Sequence, residues 1–173
     1  EDIAGNAVSL ADLKGKVVML DFWATWCPPC RASIPGLERL HRTYGPKGLV
    51  ILAISLDQGD WDSVKSFLAE YGITYTVLKG TEEVSDRYMV RSIPMIVMVD
   101  REGSVRKRLI GYGVEEEVEK EIKALYKCFD IFVHVPVDAS FEAFGQVYIE
   151  AMAASVPGVY TLSGIASEYI KDG

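Results

Sequence analysis

The chain has 173 residues, of which 49% are apolar, and its formal net charge at pH 7 is −7. It is long and apolar enough to fill one domain core and leave residues for a small second domain. The acidic balance argues against a nucleic-acid partner, because phosphates require a basic surface. No apolar run approaches the roughly 18 residues of a membrane span. We expect a mature or trimmed chain, because no signal peptide is evident.

The first predicted strand is the apolar run Val17–Trp23, whose near-continuous apolar character is typical of a strand covered on both faces. A short turn precedes it, with Ser9 as its cap and Asp12 three residues later. Asp21 interrupts the apolar run. A carboxylate there is costly unless it is paired, hydrated or functional. Asp21 is therefore either an acid of a functional site or a partly exposed residue at the strand end.

Two cysteines three residues apart, Cys27 and Cys30, follow this strand and open a helix. We expect both to face the same small patch of solvent, with Cys27 at the exposed start of the helix. At the first turn of a helix, free N–H groups and the positive end of the helix dipole stabilise a thiolate, here that of Cys27. Pro28 suits the first turn, and Pro29 removes a further donor. The Cys30 N–H is then the nearest backbone partner expected for the Cys27 sulfur. We predict a moderately lowered Cys27 pKa and a reducing rather than strongly oxidising dithiol.

A cysteine pair at this spacing can also be half of a zinc site or a structural disulfide. A zinc site needs two more ligands, and only Cys128, His41 and His134 remain, none of them in a spaced pair. The placement between a strand and a helix, with flanking tryptophans, argues against a purely structural bridge. The pattern therefore favours redox chemistry, in which Cys27 attacks a disulfide and Cys30 resolves the intermediate. This chemistry needs neither a metal nor another cofactor.

The segment from Asp21 to Cys30, DFWATWCPPC, resembles the active-site segment of thioredoxin-fold proteins. Residues 8–16, VSLADLKGK, resemble the lead-in of the TlpA-like branch. That branch contains extracytoplasmic thiol–disulfide oxidoreductases, several of which serve cytochrome c maturation. The resemblance extends over about residues 5–127, and it implies a periplasmic or other extracytoplasmic location and protein thiols or disulfides as partners. It also implies that Asp21 is a buried acid that moves a proton to or from Cys30.

Helical and strand patterns alternate between the cysteine pair and residue 127. They predict helices over Arg31–Tyr44, Trp61–Tyr71, Thr81 to about Val90 and Val114–Leu125, and strands over Leu49–Leu56, Thr74–Leu78, Ile96–Val99 and Ser104–Ile110. Pro35 is expected to kink the first helix, because it removes an internal hydrogen bond. Together these elements predict a thioredoxin-like α/β domain, a mixed sheet with helices on both faces.

Pro94 follows Ile93 just before a predicted strand. In the family, a proline here takes a cis peptide against the cysteine pair, and the backbone of the preceding residue pairs with an extended substrate. The resemblance thus implies that Ile93 and Pro94 bind the substrate, together with Trp26, Pro28 and Pro29 around the cysteines. The alternative is an ordinary trans proline at a strand start.

The pattern after residue 127 changes to strand–helix–strand–helix, the order of a parallel Rossmann-like sheet. We therefore predict a thioredoxin-like domain at residues 1–127 and a short βαβα Rossmann-like fragment at residues 128–173. The second part resembles the donor-binding segment of nucleotide-sugar glycosyltransferases of the family-4 type. Glu142 and Glu150, separated by seven residues, match that family's pair of glutamates.

This second resemblance implies that Glu142 and the turn of Phe144 and Gly145 face the donor sugar and phosphates, and that Glu150 binds the ribose hydroxyls. Gly145 at a helix start would offer free N–H groups to an anion. The alternative is that these are scaffold residues of a fragment, because the acceptor domain and the first half of the donor domain are missing.

Three functions remain open from the sequence. The leading hypothesis is a thiol–disulfide oxidoreductase that reduces protein disulfides through the Cys27–Cys30 dithiol. The second is a nucleotide-sugar-binding or sugar-transfer module, although we find neither the glycine-rich loop nor the basic phosphate ligands of a complete donor site. The third is a natural or engineered fusion whose tail pairs with another copy to give a homo-oligomer, because the two resemblances meet near Tyr126 without a linker.

Overall fold

The structure is a computed structural model that describes residues 1–59, 61–126, 132–134 and 158–160. The chain divides into two compact units, residues 1–122 and 123–173. The domain boundary after residue 127 that the sequence indicates lies a few residues further on and stays a prediction.

The elements up to residue 126 follow the order expected from the sequence. They are β1 (Val17–Trp23), α1 (Pro28–Tyr44), β2 (Leu49–Ser55), α2 (Trp61–Tyr71), β3 (Thr76–Lys79), α3 (Glu82–Arg87), β4 (Met95–Val99), β5 (Val105–Ile110) and α4 (Glu115–Tyr126). The α1 helix continues through Pro35. The α3 helix is shorter than predicted, because Met89 takes a φ of 54° soon after its last turn, and such a left-handed residue ends a helix.

The first five strands form one mixed sheet in the order β3-β2-β1-β4-β5. The β1, β2 and β3 strands are parallel, whereas β4 is antiparallel to both β1 and β5. The carboxyl ends of the parallel strands, at Trp23, Ser55 and Lys79, therefore lie side by side at one end of the sheet, where β4 begins at Met95. We call this end of the strands the active edge, as distinct from the outermost strands, because the segment with the cysteine pair starts there.

Both faces of the sheet are covered, and all seven residues of β1 are buried. On one face, Phe22 belongs to an apolar cluster against which Val84 of α3 packs. Side chains alternate along a strand, so Trp23 lies on the other face, where its ring is 5.6 Å from that of Phe67 of α2. The predicted mixed sheet with helices on both faces is confirmed.

One outer edge of the sheet is lined by the first residues of the chain. Asp2 pairs with Leu78 of β3 in antiparallel fashion. The Ile3 N–H donates to the Val77 carbonyl at 3.2 Å. The β3 strand therefore has a hydrogen-bonded neighbour on both sides, and β5 forms the opposite edge.

The second unit contains two described strands, β6 (Phe132–His134) and β7 (Gly158–Tyr160), which pair in parallel. Parallel neighbours require a crossover connection rather than a hairpin, in agreement with the strand–helix–strand order predicted from the sequence. The two predicted tail helices lie outside the described residues, as do Cys128, Glu142, Phe144, Gly145 and Glu150. Within the ranges that the structure describes, none of the helices has the length and hydropathy needed to cross a membrane.

Candidate active site

The cysteine pair lies on a tight turn between β1 and α1. The Cys27 N–H donates to the Ala24 carbonyl at 3.2 Å, and the Arg31 N–H donates to the Cys27 carbonyl at 3.1 Å where the helix begins. Cys27 is the N-cap of α1, and prolines occupy the first helical positions. The sequence thus folds here into a four-residue turn, Ala24 to Cys27, that connects the end of β1 to the start of α1.

Cys27 and Cys30 form a disulfide, with their Cα atoms 5.3 Å apart. The Cys30 N–H donates to the Cys27 sulfur at 3.3 Å. This is the contact expected from the sequence, where two prolines leave that N–H as the nearest donor. A backbone N–H at a helix start favours the charged form of a sulfur, so this donor would stabilise the Cys27 thiolate once the disulfide is reduced.

The expectation that Cys27 itself is exposed is wrong for the disulfide form. Cys27 and Cys30 are each 3% exposed, whereas Trp26 is 66% exposed. A capping side chain folds back over the first turn of its own helix, which places the Cys27 sulfur against α1 rather than in solvent. The exposed surface at the helix start comes from Trp26, Pro28 and Pro29.

Asp21 lies within β1, between Ala53 of β2 and Ile96 of β4 in the strand register. Its residue exposure is 4%, so it is not the partly exposed strand-end residue of the alternative. Burial raises the pKa of its carboxyl to about 7, because removal from water disfavours the charged form. Asp21 would therefore change protonation near neutral pH.

Tyr75 is a buried neighbour of this acid that sequence analysis did not single out. Burial, followed by the negative charges of Asp21 and Glu38, raises the pKa of the Tyr75 hydroxyl far above its usual range. The Tyr75 ring lies edge-on to His41 of α1, with centroids 6.1 Å apart. Asp21 therefore occupies the sheet face covered by α1, the helix that carries Cys30.

The Ile93–Pro94 peptide bond is cis, so the alternative of an ordinary trans proline is wrong. The Pro94 carbonyl accepts a hydrogen bond from the Gly111 N–H at 2.9 Å. Since Phe22 pairs with Met95 across β1 and β4, Pro94 is level with the end of β1. The fold thus brings Ile93 and Pro94 to the same edge as the cysteine turn. Ile93 is half-buried there and Pro94 is buried.

Four exposed apolar side chains occur around this edge, and we call them the apolar rim. They are Trp26 at 66%, Ile110 at 61%, Tyr112 at 60% and Met89 at 54% exposure, the highest values among the large apolar side chains of the described residues. Ile110 ends β5 beside the start of β4, and Met89 precedes the cis peptide by a few residues. Only Trp26 is predicted from the sequence to lie at the substrate-binding surface. The other three side chains come from distant segments that the sheet order brings to the active edge.

Asp57, in the loop after β2, contacts the cysteine turn directly. Its Oδ2 accepts a hydrogen bond from the Thr25 N–H at 2.9 Å, and its Oδ1 accepts one from the Thr25 hydroxyl at 2.6 Å. The Ser55 hydroxyl donates to Asp57 Oδ2 at 2.7 Å. These residues lie between a predicted strand and a predicted helix, and nothing in the local sequence pattern shows that Asp57 reaches back to Thr25.

The described residues hold no group of three histidine, cysteine, aspartate or glutamate side chains arranged to bind a metal ion. His41 contacts Tyr75 through its ring and is far along α1 from the cysteine turn. Cys128 and the glutamates proposed for donor binding lie outside the described ranges, so their predicted roles stay predictions.

Two family models match the chain. Residues 1–108 match the AhpC/TSA family, which is more than half of the chain. Residues 111–173 match the glycosyl transferases group 1 family. This second match begins earlier than the join expected near residue 128, and it includes α4, which the sequence analysis assigned to the first domain.

Individual proteins agree with the first match. The thiol-disulfide oxidoreductase ResA of Bacillus thuringiensis (strain Al Hakam) is 36% identical over 126 residues, which cover 72% of this chain and 72% of that protein. The thioredoxin-like protein YneN of Bacillus subtilis (strain 168) is 32% identical over 122 residues, covering 69% and 71%. A thioredoxin family thiol:disulfide interchange protein from Chlorobium tepidum TLS has a TM-score of 0.64 at 29% identity, covering 70% of this chain and 88% of that structure.

These matches confirm both resemblances drawn from the sequence, the thioredoxin-fold oxidoreductase and the glycosyltransferase fragment after it. The chain therefore belongs to the AhpC/TSA family and is a thioredoxin-like thiol–disulfide oxidoreductase.

Proposed function

We propose that this oxidoreductase reduces disulfides of other proteins through the Cys27–Cys30 dithiol. The observation that carries the proposal is the Cys30 N–H, which is 3.3 Å from the Cys27 sulfur and is the one hydrogen-bond donor to that sulfur within the described part of the chain. Strong oxidants stabilise their reduced form, and hence their thiolate, much more than this. A moderately stabilised thiolate instead remains a good nucleophile near neutral pH, which suits a reductant.

The proposed reaction has two exchange steps. The Cys27 thiolate attacks one sulfur of the substrate disulfide, whose S–S bond breaks as a mixed disulfide forms and the first substrate sulfur leaves as a thiolate. The Cys30 thiol then transfers its proton to the Asp21 carboxylate and attacks the Cys27 sulfur. This step releases the second substrate sulfur and leaves the Cys27–Cys30 disulfide. Two electrons have passed to the substrate, and a dithiol reductant must restore the enzyme.

The apolar rim supports a protein rather than a small molecule as the substrate. Exposed apolar patches of this kind mark surfaces where another chain binds, and Trp26 adjoins Cys27 directly. We propose that an extended segment of the substrate lies across Pro28 and Pro29 and pairs with the backbone of Ile93 beside Pro94. Apolar side chains next to the substrate disulfide would then contact the rim.

We further propose that the protein works outside the cytoplasm, because disulfides persist in oxidising compartments and a reductant there has protein substrates. A disulfide between the two cysteines of a c-type haem attachment sequence is one such substrate, in keeping with a role in cytochrome c maturation. The proposal draws on the resemblance to extracytoplasmic oxidoreductases.

Measurement of the reduction potential tests the reductive role. We expect a value between about −180 and −270 mV, the range from protein disulfide isomerase to thioredoxin. The protein is equilibrated in glutathione or dithiothreitol buffers, alkylated and weighed, so that a gain of two labels marks the reduced pair and Cys128 is counted separately. A potential near about −120 mV, typical of a strong oxidant, would contradict the proposal.

The match of residues 111–173 to glycosyl transferases supports a second candidate, nucleotide-sugar binding. We propose instead that this part mediates association with a second copy, because its described strands β6 and β7 form a two-stranded parallel sheet, and a sheet of this size is marginal alone. We expect the full chain to sediment as a dimer and to show no saturable calorimetric binding of a uridine diphosphate sugar. Specific binding that Glu150→Ala abolishes would favour sugar binding instead.

A further inference from the structure

We infer that Asp57 is a positioning residue for disulfide exchange: it binds both donors of Thr25 and so fixes the turn that presents Trp26 and the Cys27 sulfur to the partner. The inference rests on the proposed role of Cys27 as the attacking sulfur. Within the described part of the chain, Asp57 hydrogen-bonds to Thr25 and Ser55 and not to either cysteine, so it would act through the turn.

The contacts of Asp57 leave the turn little freedom. Thr25 is the second residue of the turn that the Ala24 carbonyl and the Cys27 N–H close at 3.2 Å. The Asp57 carboxylate binds the N–H and the hydroxyl of Thr25 with different oxygens, at 2.9 and 2.6 Å. Two bonds to one residue fix its orientation as well as its position, and hydrogen bonds to a charged acceptor are the stronger kind. The turn is therefore held at its middle and not only at its ends.

Asp57 is itself held in place by the buried end of β2. The Ser55 hydroxyl, from a fully buried residue at the end of β2, donates to Asp57 Oδ2 at 2.7 Å. The Ser55 carbonyl in turn accepts the Gly80 N–H at 2.8 Å. A Cβ at position 80 would lie only 2.5 Å from that carbonyl oxygen, so the loops after β2 and β3 approach as closely as glycine allows. Asp57 thus connects the turn to the centre of the sheet.

The chemistry explains why this position matters. The attacking sulfur must approach the partner disulfide along the S–S axis, and small errors in the placement of reacting groups cost large factors in rate. Forward and reverse exchange pass through the same transition state. A group that only positions the attacking sulfur therefore changes the forward and the reverse rate constant by the same factor. Loss of Asp57 should then slow exchange in both directions without moving the reduction potential.

Thiol–disulfide exchange with an unstructured peptide that carries one disulfide tests this, run in both directions so that the result does not depend on which direction is physiological. We expect Asp57→Ala, which removes both acceptor oxygens, to lower both rate constants by about 10- to 100-fold and to leave the potential unchanged. Thr25→Val, which removes only the hydroxyl, should give a smaller loss. Thr25→Ser keeps both donors and should restore the wild-type rate.

Asp100→Ala is the matched control. Asp100 is another loop carboxylate that accepts backbone hydrogen bonds, from the Glu102 and Ser104 N–H groups at 3.1 and 2.7 Å in the turn between β4 and β5. Asp100 is buried, whereas Asp57 is half-buried. That turn lies at the end of the strands opposite to the active edge, so this variant should exchange at the wild-type rate.

A double-mutant cycle completes the test. The variant with both Thr25→Val and Asp57→Ala should be no slower than Asp57→Ala alone, because both changes remove the hydrogen bond between Asp57 and the Thr25 hydroxyl. The inference is overturned if folded Asp57→Ala exchanges at the wild-type rate, if the two losses add, or if the potential shifts enough to explain the rates. If Asp57→Ala does not fold, equal rates for Thr25→Val and Thr25→Ser overturn it.

Discussion

We expect Cys27→Ser to abolish disulfide exchange, with a loss in rate of more than about 10³-fold, the largest effect of any substitution. The loss is this large because the substitution removes the nucleophile. Cys30→Ser should instead accumulate a mixed disulfide between Cys27 and the substrate, because the resolving sulfur is missing. The two variants therefore fail at different steps, although the two cysteine residues are equally buried in the disulfide form.

Mass spectrometry after mixing with an oxidised protein substrate distinguishes the two outcomes. A Cys128→Ser background ensures that only the active-site cysteines are counted, and this background variant serves as the control. Alkylation of the reduced protein at low pH should label Cys27 first, since the Cys30 N–H stabilises its thiolate. Labelling of Cys30 before Cys27 would reverse the two roles.

Asp21→Asn is expected to have the second-largest effect, and it acts on stability as well as on rate. The carboxyl has a pKa of about 7 in the folded protein against an ordinary value of 3.8. The folded state therefore binds more protons than the unfolded state between these values, and its stability falls as pH rises. Between pH 5 and pH 8 this single group should lower the free energy of unfolding by about 2 to 3 kcal/mol.

Asparagine cannot ionise, so Asp21→Asn should lack this fall and be more stable than wild type at pH 8. Denaturant unfolding of the oxidised proteins at pH 5 and pH 8 measures the difference. Asp100→Asn should keep the wild-type pH dependence, because it leaves Asp21 in place. Parallel pH profiles for wild type and Asp21→Asn would show that Asp21 does not carry a raised pKa.

The same substitution should slow the second exchange step. Asp21 can accept the Cys30 proton only when it is ionised, so wild-type turnover should rise between pH 6 and pH 8 as the carboxyl loses its proton. Asp21→Asn should show slow release of reduced substrate without this rise. If turnover of the variant equals that of wild type from pH 6 to pH 9, Asp21 does not handle the proton.

Much of this site follows from short-range sequence patterns. The run from Val17 to Trp23 gives a strand with the bounds observed, and the prolines after Cys27 fix which N–H meets its sulfur. Asp21 is conspicuous as a carboxylate in an apolar strand. Such features depend on residues a few positions apart, and local physical rules are enough to interpret them.

Other features depend on which strands become neighbours, and the sequence does not show this. Asp57 hydrogen-bonds to Thr25, 32 residues earlier in the sequence, because β2 lies beside β1. Tyr75 directly precedes β3, which only β2 separates from the β1 strand that carries Asp21. The burial of Cys27 was missed for another reason. Its position at a helix start suggested exposure, but the capping geometry turns its sulfur inward.

The coverage of the β3 edge by the first residues of the chain has a consequence for how copies of this protein meet. An uncovered edge strand can add a strand from another molecule. Among the described strands of the main sheet, β5 is the remaining edge, and it carries Arg106, Lys107 and Arg108 in succession. Within the molecule, Arg106 pairs with Asp100, and Lys107 pairs with Glu117 and Glu121. A strand added beside β5 would have to accommodate these charged side chains, and charged residues of this kind disfavour pairing at an edge strand. The main sheet is therefore protected against growth into a continuous intermolecular sheet, by hydrogen bonding at one outer edge and by charged side chains at the other.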